Sequence, residues 1–555
     1  MNKITISFLL MFLPQLVIAD IVEVDNIWYI LNPDNTAAVT YNDPSASKYF
    51  GDITIPETIN SNDVVYTVTQ IAYSAFSGCS ELTSVIIPNS VKLIDSDAFS
   101  GCNNLTYVNI PNSVTTIDNN AFCGCSRLTS ITIPNSITYI GDNAFAGCIG
   151  LESVYISDIS AWIKIKFGNW GYLETNPLYY AHHLFLNGME IKKLEIPDGI
   201  TSIDFNSFVN CSGLTSVTFP NSVTSIGNSA FRCCTALTSL TIPCNVNSIG
   251  DYAFQGCEGL TSVTIPTSVT SIGMDAFEGC SGLLSVTIPN SVTTISDNTF
   301  QFCSGLLSVM IPEGVTSIGK DAFFRCSSLA SLDIPKSVTS IGDGAFYYCS
   351  SLVSLIIPNG ITTISKDAFR ECSNITTITI GSEVKHINQQ AFSGCDKLEI
   401  VKCLAETPPD LYEDVFTNYD IILMVPEISK DAYMTTEPWS KFKTFKTLTG
   451  EDLVRKKVEK PTINLKDGML EFSCTTEDVD YNWIITTSNN NSGKGNNVPF
   501  SQIFTVSVYA TKTGYENSDV TTQKFLGSSI VGDTNGDGVV DAADIVKIVS
   551  IIMDK

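Results

Sequence analysis

A unit of 23 residues, A-F-x-x-C-S-x-L-x-S-V-T-I-P-x-S-V-T-x-I-G, recurs along most of this chain and leaves few architectures open to it. Its cysteines stand at Cys79, Cys102, Cys125 and Cys148, and then at Cys211, Cys234, Cys257, Cys280, Cys303, Cys326, Cys349, Cys372 and Cys395, in steps of 23 within each run. A fixed period of this size means that each unit is one supersecondary element too small to bury its own apolar face. Neighbouring units must therefore stack into a solenoid around a continuous core. Three residues before each of these cysteines stands a phenylalanine, from Phe76, Phe99 and Phe122 to Phe392. Three, six and eight residues after the cysteine stand apolar residues such as Leu82, Val85 and Ile87. In the L-x-x-V-x-I pattern alternate side chains point inward. Proline follows, as at Pro88, Pro111, Pro220, Pro266 and Pro358, and ends the strand because it has no N–H to donate. A second apolar pair such as Val269 and Ile272 turns the chain back, and Gly273 marks the bend before the next A-F.

The L-x-x-V-x-I segment resembles the strand signature of leucine-rich repeats. The fuller wording, C-S-x-L-x-S-V-T-I-P-x-S-V-T-x-I-G, resembles the BspA-type leucine-rich repeat family of surface and secreted proteins. The resemblance runs from about Ile53 to Leu448, and its end segment, Ile421 to Leu448, is similar to the family's terminal cap. It implies a β-rich solenoid over 53–403, with an N-terminal cap region at 20–52 and a C-terminal cap at 404–448. It also implies binding or adhesion to host proteins and other cells rather than catalysis. The outward strand positions, five and seven residues after each ladder cysteine, are expected to line the concave face. Most are hydroxyl residues, such as Ser130 and Thr132, Ser216 and Thr218, Ser262 and Thr264. Tyr107, Asn109, Tyr155, Met310, Asp333 and Ile356 depart from that rule. They are candidate contacts for a protein or glycan ligand, with drift on a tolerant surface as the alternative.

Eighteen cysteines in an exported chain would ordinarily indicate disulfides. Here the spacing points to free thiols. Equivalent residues of stacked strands lie about 4.8 Å apart, whereas a disulfide needs its Cβ atoms about 3.5 to 4.5 Å apart. One cysteine bridges only one neighbour, so a whole column cannot pair, and the thirteen ladder cysteines read as small buried hydrophobes. Cys403, which replaces the core isoleucine eight residues after Cys395, agrees. The pair Cys123 and Cys125 offers only C-x-C, a weak metal signal.

Between Cys148 and Cys211 the spacing is 63, so one unit, at about 154–196, is long. It carries Trp162, Phe167, Trp170, Tyr172, Tyr179, Tyr180, His182 and His183. Two readings stand. Such aromatics could line a carbohydrate groove, or they could serve the core of a long repeat variant that the family uses structurally. Asn187-Gly188 between two apolar runs is a hairpin signal and favours the second.

The chain has 57 acidic against 31 basic residues and a net charge of −26, which repels phosphate backbones and argues against a nucleic-acid partner. Residues 1–19 combine an early Lys3, an apolar run from Ile4 to Ile18 and a V-I-A ending, the pattern of a signal peptide cleaved near Ala19. The run is too short, and with Pro14 and Gln15 too interrupted, for a transmembrane segment. A secreted or cell-surface protein is expected.

After a charged linker at 449–461, residues 462–526 alternate in short segments, Met469–Cys474, Tyr481–Thr486 and Ile503–Tyr509, separated by polar turns. This pattern indicates a small β-sandwich of roughly immunoglobulin type. The stretch F-T-V-S-V-Y-A-T-K-T-G-Y-E-N-S-D-V resembles the accessory sandwich domains of secreted bacterial proteins. The sharpest chemical motif lies in 532–555. Asp533, Asn535, Asp537, Asp541 and Asp544 place oxygens at loop positions 1, 3, 5, 9 and 12, with Gly538 for the sharp turn and a backbone carbonyl from Val539 at 7. A hard cation needs such converging oxygens, so the expected cofactor is Ca2+. Asp544 followed by I-V-K-I-V-S-I-I resembles a type I dockerin repeat. The resemblance implies a cohesin-like partner chosen in part by Ala542 and Ala543 at loop positions 10 and 11. A dockerin normally has two such loops and this sequence shows one, which weakens the cohesin implication more than the calcium one.

Two functions compete at this point. One is a non-catalytic interaction protein with a calcium-dependent docking module. The other is a subunit of a polysaccharide-degrading complex, suggested by the usual company of dockerins. His182, His183 and His386 are the only histidines, and no G-x-S-x-G elbow or reasoned carboxylate pair gives catalysis a home.

Overall fold

The computed structural model describes residues 20–41, 49–168, 173–450, 459–466, 469–476, 480–488, 503–511 and 521–526. The repeats wind through two compact units, one ending at Glu190 and the other beginning at Ile191. One turn of the second unit shows how the sequence makes the coil. Leu260, Val263 and Ile265 are buried on and beside the strand Ser262–Thr264, which stops before Pro266. Ser268 Oγ donates to the Val246 carbonyl of the previous turn at 2.6 Å. Val269 and Ile272 are buried, the latter on the short strand Ser271–Ile272. Gly273 follows because a Cβ there would sit 2.5 Å from the Asp251 nitrogen.

Two left-handed residues then fold the chain around each Ala-Phe pair. The first is usually polar, as in Asp97 (φ 56°), Asn120 (55°), Asn143 (54°), Asp275 (56°) and Asn298 (56°). Asn and Asp tolerate this conformation better than other side chains. The second stands immediately before the ladder cysteine and is Gly78, Gly101, Gly124, Gly147, Gly256, Gly279 or Gly394 in about half the turns, all with positive φ.

Successive turns are joined on three sides. In the second unit Ser216, Ser239, Ser262, Ser285 and Ser308 pair in parallel register. A second parallel ladder joins Ser202–Ile203, Ser225–Ile226, Ser248–Ile249 and Ser271–Ile272. On the third side Asp275, Phe277 and Gly279 donate N–H groups to the next turn's Asp297, Thr299 and Gln301 carbonyls at 2.7–3.1 Å. Inside, the phenylalanines stack with nearly parallel rings: Phe76, Phe99, Phe122 and Phe145 at 5.0–5.4 Å in the first unit, and Phe208 through Phe392 to Phe416 at 5.2–5.8 Å in the second.

The first unit begins with the antiparallel strands Ile21–Val24, Ile27–Leu31 and Thr36–Thr40. Thr36–Thr40 then pairs in parallel with Val64–Ile71 and so starts the ladder that continues through Leu93–Ile94, Thr116–Ile117, Tyr139–Ile140 and Lys166–Phe167. In the long repeat, Asp158 caps the short helix Ile159–Ile163 by accepting from the Ser160 and Ala161 N–H groups at 2.7 and 3.2 Å. Trp162 and Phe167 are buried against each other at 5.7 Å, and Tyr180 donates to Glu174 at 2.9 Å. These aromatics serve packing. Trp170 and Tyr172 lie outside the described residues. Asn187 (φ 51°) and Gly188 (φ 81°) form the expected hairpin, with Phe185 opposite Glu190 and Leu186 opposite Met189.

The second unit continues through Ile400–Cys403, Ile422–Val425 and Thr444–Thr447 in parallel. Trp439 is fully buried near its end and donates its indole N–H to the Pro409 carbonyl at 2.7 Å, while Tyr433 donates to Ala405 at 2.9 Å. Further on, Thr462–Lys466 and Met469–Ser473 form one antiparallel pair, and Asp480–Ser488, Ile503–Thr511 and Thr521–Leu526 a three-stranded antiparallel sheet.

Candidate binding surface

The threonine just before a repeat strand helps to join the turns: Thr106, Thr238 and Thr261, each four residues after its ladder cysteine, donate to the carbonyl 23 residues earlier at 3.0–3.4 Å. In the first unit the departures from Ser and Thr gather. Tyr107 and Asn109 project from one strand, Tyr107–Asn109, and Tyr155 from Ser153–Ile156. Tyr107 is 53% exposed. The Tyr155 ring stacks on Phe185 of the next strand at 4.9 Å, which fixes its plane. Asn109, Thr132 and Tyr155 share a recess of about 420 Å³ with Asn89, Asn112, Ser157 and Asn187. Asn109 Nδ2 donates to the Ile87 carbonyl at 3.4 Å, a long bond made through its amide nitrogen. At the start of the same unit Asp52 accepts from Ser84 and Thr83 at 2.6 and 2.7 Å, bonds that hold its carboxyl below its ordinary value.

The remaining candidates belong to the second unit, where Met310, Asp333 and Ile356 stand seven residues after their ladder cysteines in three consecutive repeats. Met310 is half-buried opposite Thr287. Ile356 lies in register with Thr379, Lys402, Met424 and Lys446 along a parallel sheet. Asp333 corrects the expectation of a strand in every turn: no strand forms at 331–333, between the ladder that ends at Ser308–Met310 and the sheet that begins at Ser354–Ile356. Aspartate disfavours extended pairing because its carboxylate competes for nearby N–H groups, and Leu332 beside it is only half-buried. The calcium-loop residues Asp533, Asn535, Asp537, Val539, Asp541 and Asp544, together with Ala542 and Ala543, lie outside the described residues, as do Met1–Ala19.

The cysteine column offers no reactive chemistry. All thirteen ladder cysteines are buried, and none of them forms a disulfide. Cys280 Sγ donates to the Phe254 carbonyl of the previous turn at 3.3 Å, and that carbonyl also accepts the Cys257 N–H at 3.2 Å. The same arrangement recurs from Cys102 on Phe76 to Cys395 on Phe369. Burial pushes the thiols up, Cys148 and Cys395 to about 12, far from the thiolate that nucleophilic or metal-binding cysteines need. Among the described residues no group of three or more His, Cys, Asp and Glu could hold a metal ion, and no helix is long and apolar enough to cross a membrane.

Sequence reasoning singled out Asn109 and Tyr155 but not the asparagines that share their recess. Their signal is the residue after the strand-ending proline: Asn89 and Asn112 follow Pro88 and Pro111.

The sequence matches the model of the BspA type leucine rich repeat region, in six copies, at residues 49–167, 181–307 and 297–421. Comparison with curated proteins finds no match. Among solved structures, the chain is similar to a leucine-rich repeat protein from Bacteroides ovatus, with 25% identity, 77% of this chain and 100% of that chain covered, and a TM-score of 0.48. It is similar to a leucine rich cell surface protein from Faecalibacterium prausnitzii, with 28% identity, coverage of 69% and 94%, and a TM-score of 0.42. It is also similar to the pneumococcal vaccine antigen PcpA, with 19% identity, coverage of 78% and 99%, and a TM-score of 0.40. With the family model matched over more than half its length, and the repeat's phenylalanine and cysteine columns stacked as one core in each unit, this chain belongs to the BspA-type leucine rich repeat family.

Proposed function

We propose that this chain is a secreted or surface-exposed adhesion protein, non-catalytic, that binds a protein partner through the strand face of its repeats. The observation that carries the reading is the gathering of Asn109 and Tyr155 around one recess, with Tyr107 exposed on the same strand as Asn109, on a face most of whose other positions are Ser and Thr. Exposed aromatic and amide groups on a rigid sheet are the groups from which interfaces draw their binding energy. A glycan is the second reading, favoured by the amide and hydroxyl lining from Asn89, Asn112, Thr132, Ser157 and Asn187.

The flanking segments complete the proposal. Export is supported by the leader-like residues 1–19, with cleavage near Ala19. Residues 20–52 and 404–448 act as caps of the solenoid at 53–403, and 449–461 as a linker. Residues 462–526 form a small immunoglobulin-like spacer, a reading supported by five antiparallel strands in two sheets. Residues 532–555 bind Ca2+ and dock a cohesin-like module, a reading supported by the oxygen spacing of Asp533, Asn535, Asp537, Asp541 and Asp544 alone.

The test is a panel of immobilised matrix proteins and glycans probed with the full chain and with a Tyr107→Ser, Tyr155→Thr double variant. A ligand of the parent should bind the variant at least tenfold more weakly. Unchanged binding by the variant would remove the strand face from the function.

A further inference from the structure

The second unit departs from the repeat where its backbone has the least freedom. The left-handed position before the ladder cysteine, glycine in about half the turns, holds Phe302 (φ 59°), Arg325 (φ 61°) and Tyr348 (φ 61°) in three consecutive turns. A Cβ is disfavoured in this conformation, most of all on a bulky side chain. Core burial does not compensate, since Phe302 is 38% exposed, Arg325 is exposed and Tyr348 is half-buried. Strained residues of this kind cluster at functional sites.

The side chains converge with those of the preceding position, Phe324 and Tyr347. The Arg325 guanidinium carbon lies 5.8, 5.4 and 5.2 Å from the ring centres of Phe302, Phe324 and Tyr348. Tyr347 and Tyr348 stack at 4.6 Å, and Arg370 covers Tyr347 at 5.2 Å. Arg370 is engaged by Asp367 and Gln390 at 3.3 and 2.8 Å. Arg325 forms no ion pair among the described residues, so its planar fork of N–H groups is braced by rings and open at its edge.

We infer that Phe302, Phe324, Arg325, Tyr347 and Tyr348 form a second docking surface, for a carboxylate-bearing segment of a partner protein. Phenylalanine, tyrosine and arginine are the residues enriched at protein interfaces, and the rings give apolar contact while Arg325 takes a carboxylate in bidentate geometry. Charge sets the register. On a chain with 57 acidic and 31 basic residues, an acidic side chain gains at Arg325 and is repelled over most of the remaining surface, within a screening length of about 8 Å. The surface uses the residues before the ladder cysteine, not the strand residues after it, so it stands or falls independently of the strand-face reading.

The test measures the full chain by biolayer interferometry against immobilised dodecapeptides alternating Glu with Leu or Tyr, the same peptides with Gln for Glu, and oligogalacturonate as a carboxylate-bearing glycan. Glu peptides should bind at least tenfold more tightly than Gln peptides, and Arg325→Gln should erase that difference. A Phe302→Gly, Arg325→Gly, Tyr348→Gly variant should lose binding while its Tm stays level or rises, because it restores the glycine of other turns. The inference is overturned by equal binding of Glu and Gln peptides, by binding that survives these substitutions, or by preference for oligogalacturonate. A clear fall in Tm of the triple variant would also overturn it, by giving these residues a packing role.

Discussion

The phenylalanine three residues before each ladder cysteine and the residue one before it are two positions apart in the chain, yet they obey opposite rules. The first is phenylalanine before every ladder cysteine and fully buried, and inside each run of repeats its ring stacks on the ring above and below. The second ranges over glycine, asparagine, cysteine, phenylalanine, arginine, tyrosine and glutamate at a nearly constant left-handed backbone. A column whose members pack on one another must change together, because interiors are close-packed and neighbours relax only in part. A column fixed only by its dihedral angle changes singly, at a strain of about 1–2 kcal/mol for each residue that has a Cβ. The core therefore records the fold, and the departures on its rim record what differs between turns.

The largest effect expected from breaking this contrast comes at the core column. Phe254→Ala removes a ring stacked on two sides, at 5.6 Å from Phe231 and 5.4 Å from Phe277, and should cost about 3–5 kcal/mol. Tyr348→Gly, in the other column, should leave stability level or raise it by about 1 kcal/mol. Urea unfolding of both variants measures the difference; comparable losses would erase the distinction between the columns.

A smaller effect attaches to the cysteines. Cys280→Ala gives up a sulfur and its bond to the Phe254 carbonyl, which keeps the Cys257 N–H, and should cost about 1–2 kcal/mol. In the native parent, iodoacetamide should label the exposed Cys244 well before any ladder thiol, whose burial both shields it and keeps it protonated. Peptide mapping by mass spectrometry checks the order. Early modification of the ladder would mean that the column opens.

Asp275 occupies the polar left-handed position, at φ 56°. Burial, and next the Glu278 carboxylate, push its carboxyl up to about 6 from an ordinary 3.8. An acid raised in the folded state contributes stability that is full below about pH 4 and lost as pH rises through about 6. Asp275→Asn should therefore match the parent near pH 4 and exceed it by about 1–2 kcal/mol at pH 7.5, after allowance for solvent screening. Thermal unfolding at the two pH values measures this; a variant no more stable at pH 7.5 would place the charge in water.

The repeat made the coil, the inward strand residues and the thiol column legible, because a period of 23 fixes which residues are neighbours. It left other features hidden for physical reasons. The carbonyl that accepts from Cys280 lies 26 residues earlier, a partner set by the pitch of the coil and not by local spacing. Asp97, Asn120 and Asn143 before each A-F do signal a left-handed turn, but only to a reading that asks which residues accept positive φ. Asp333 interrupts its strand through one side chain whose effect the repeat pattern masks. Of the binding candidates, Asn109 and Tyr155 come together because they flank Thr132 at one repeat position, 23 residues to either side of it.

The smallest expected effect on stability is at that recess, and it tests the rule for rim positions most directly. Tyr155 is half-buried and stacked on Phe185, but its pairing with Thr132 and Phe185 is made by backbone, and threonine is a good strand former. Tyr155→Thr restores the hydroxyl that most turns carry and gives up one aromatic contact, worth about 0.5–1.5 kcal/mol. Restored strand propensity offsets part of this, so the net loss should stay below about 1 kcal/mol. Ligand binding at the recess should nevertheless fall by tenfold or more, because the wall formed by Tyr155 is gone while Asn109 and Thr132 remain. Titration of a ligand found in the matrix-protein and glycan panel, alongside urea unfolding, gives both numbers. A stability loss of several kcal/mol would return Tyr155 to the core column, and the comparison between the two kinds of position would fail at the residue where it matters for function.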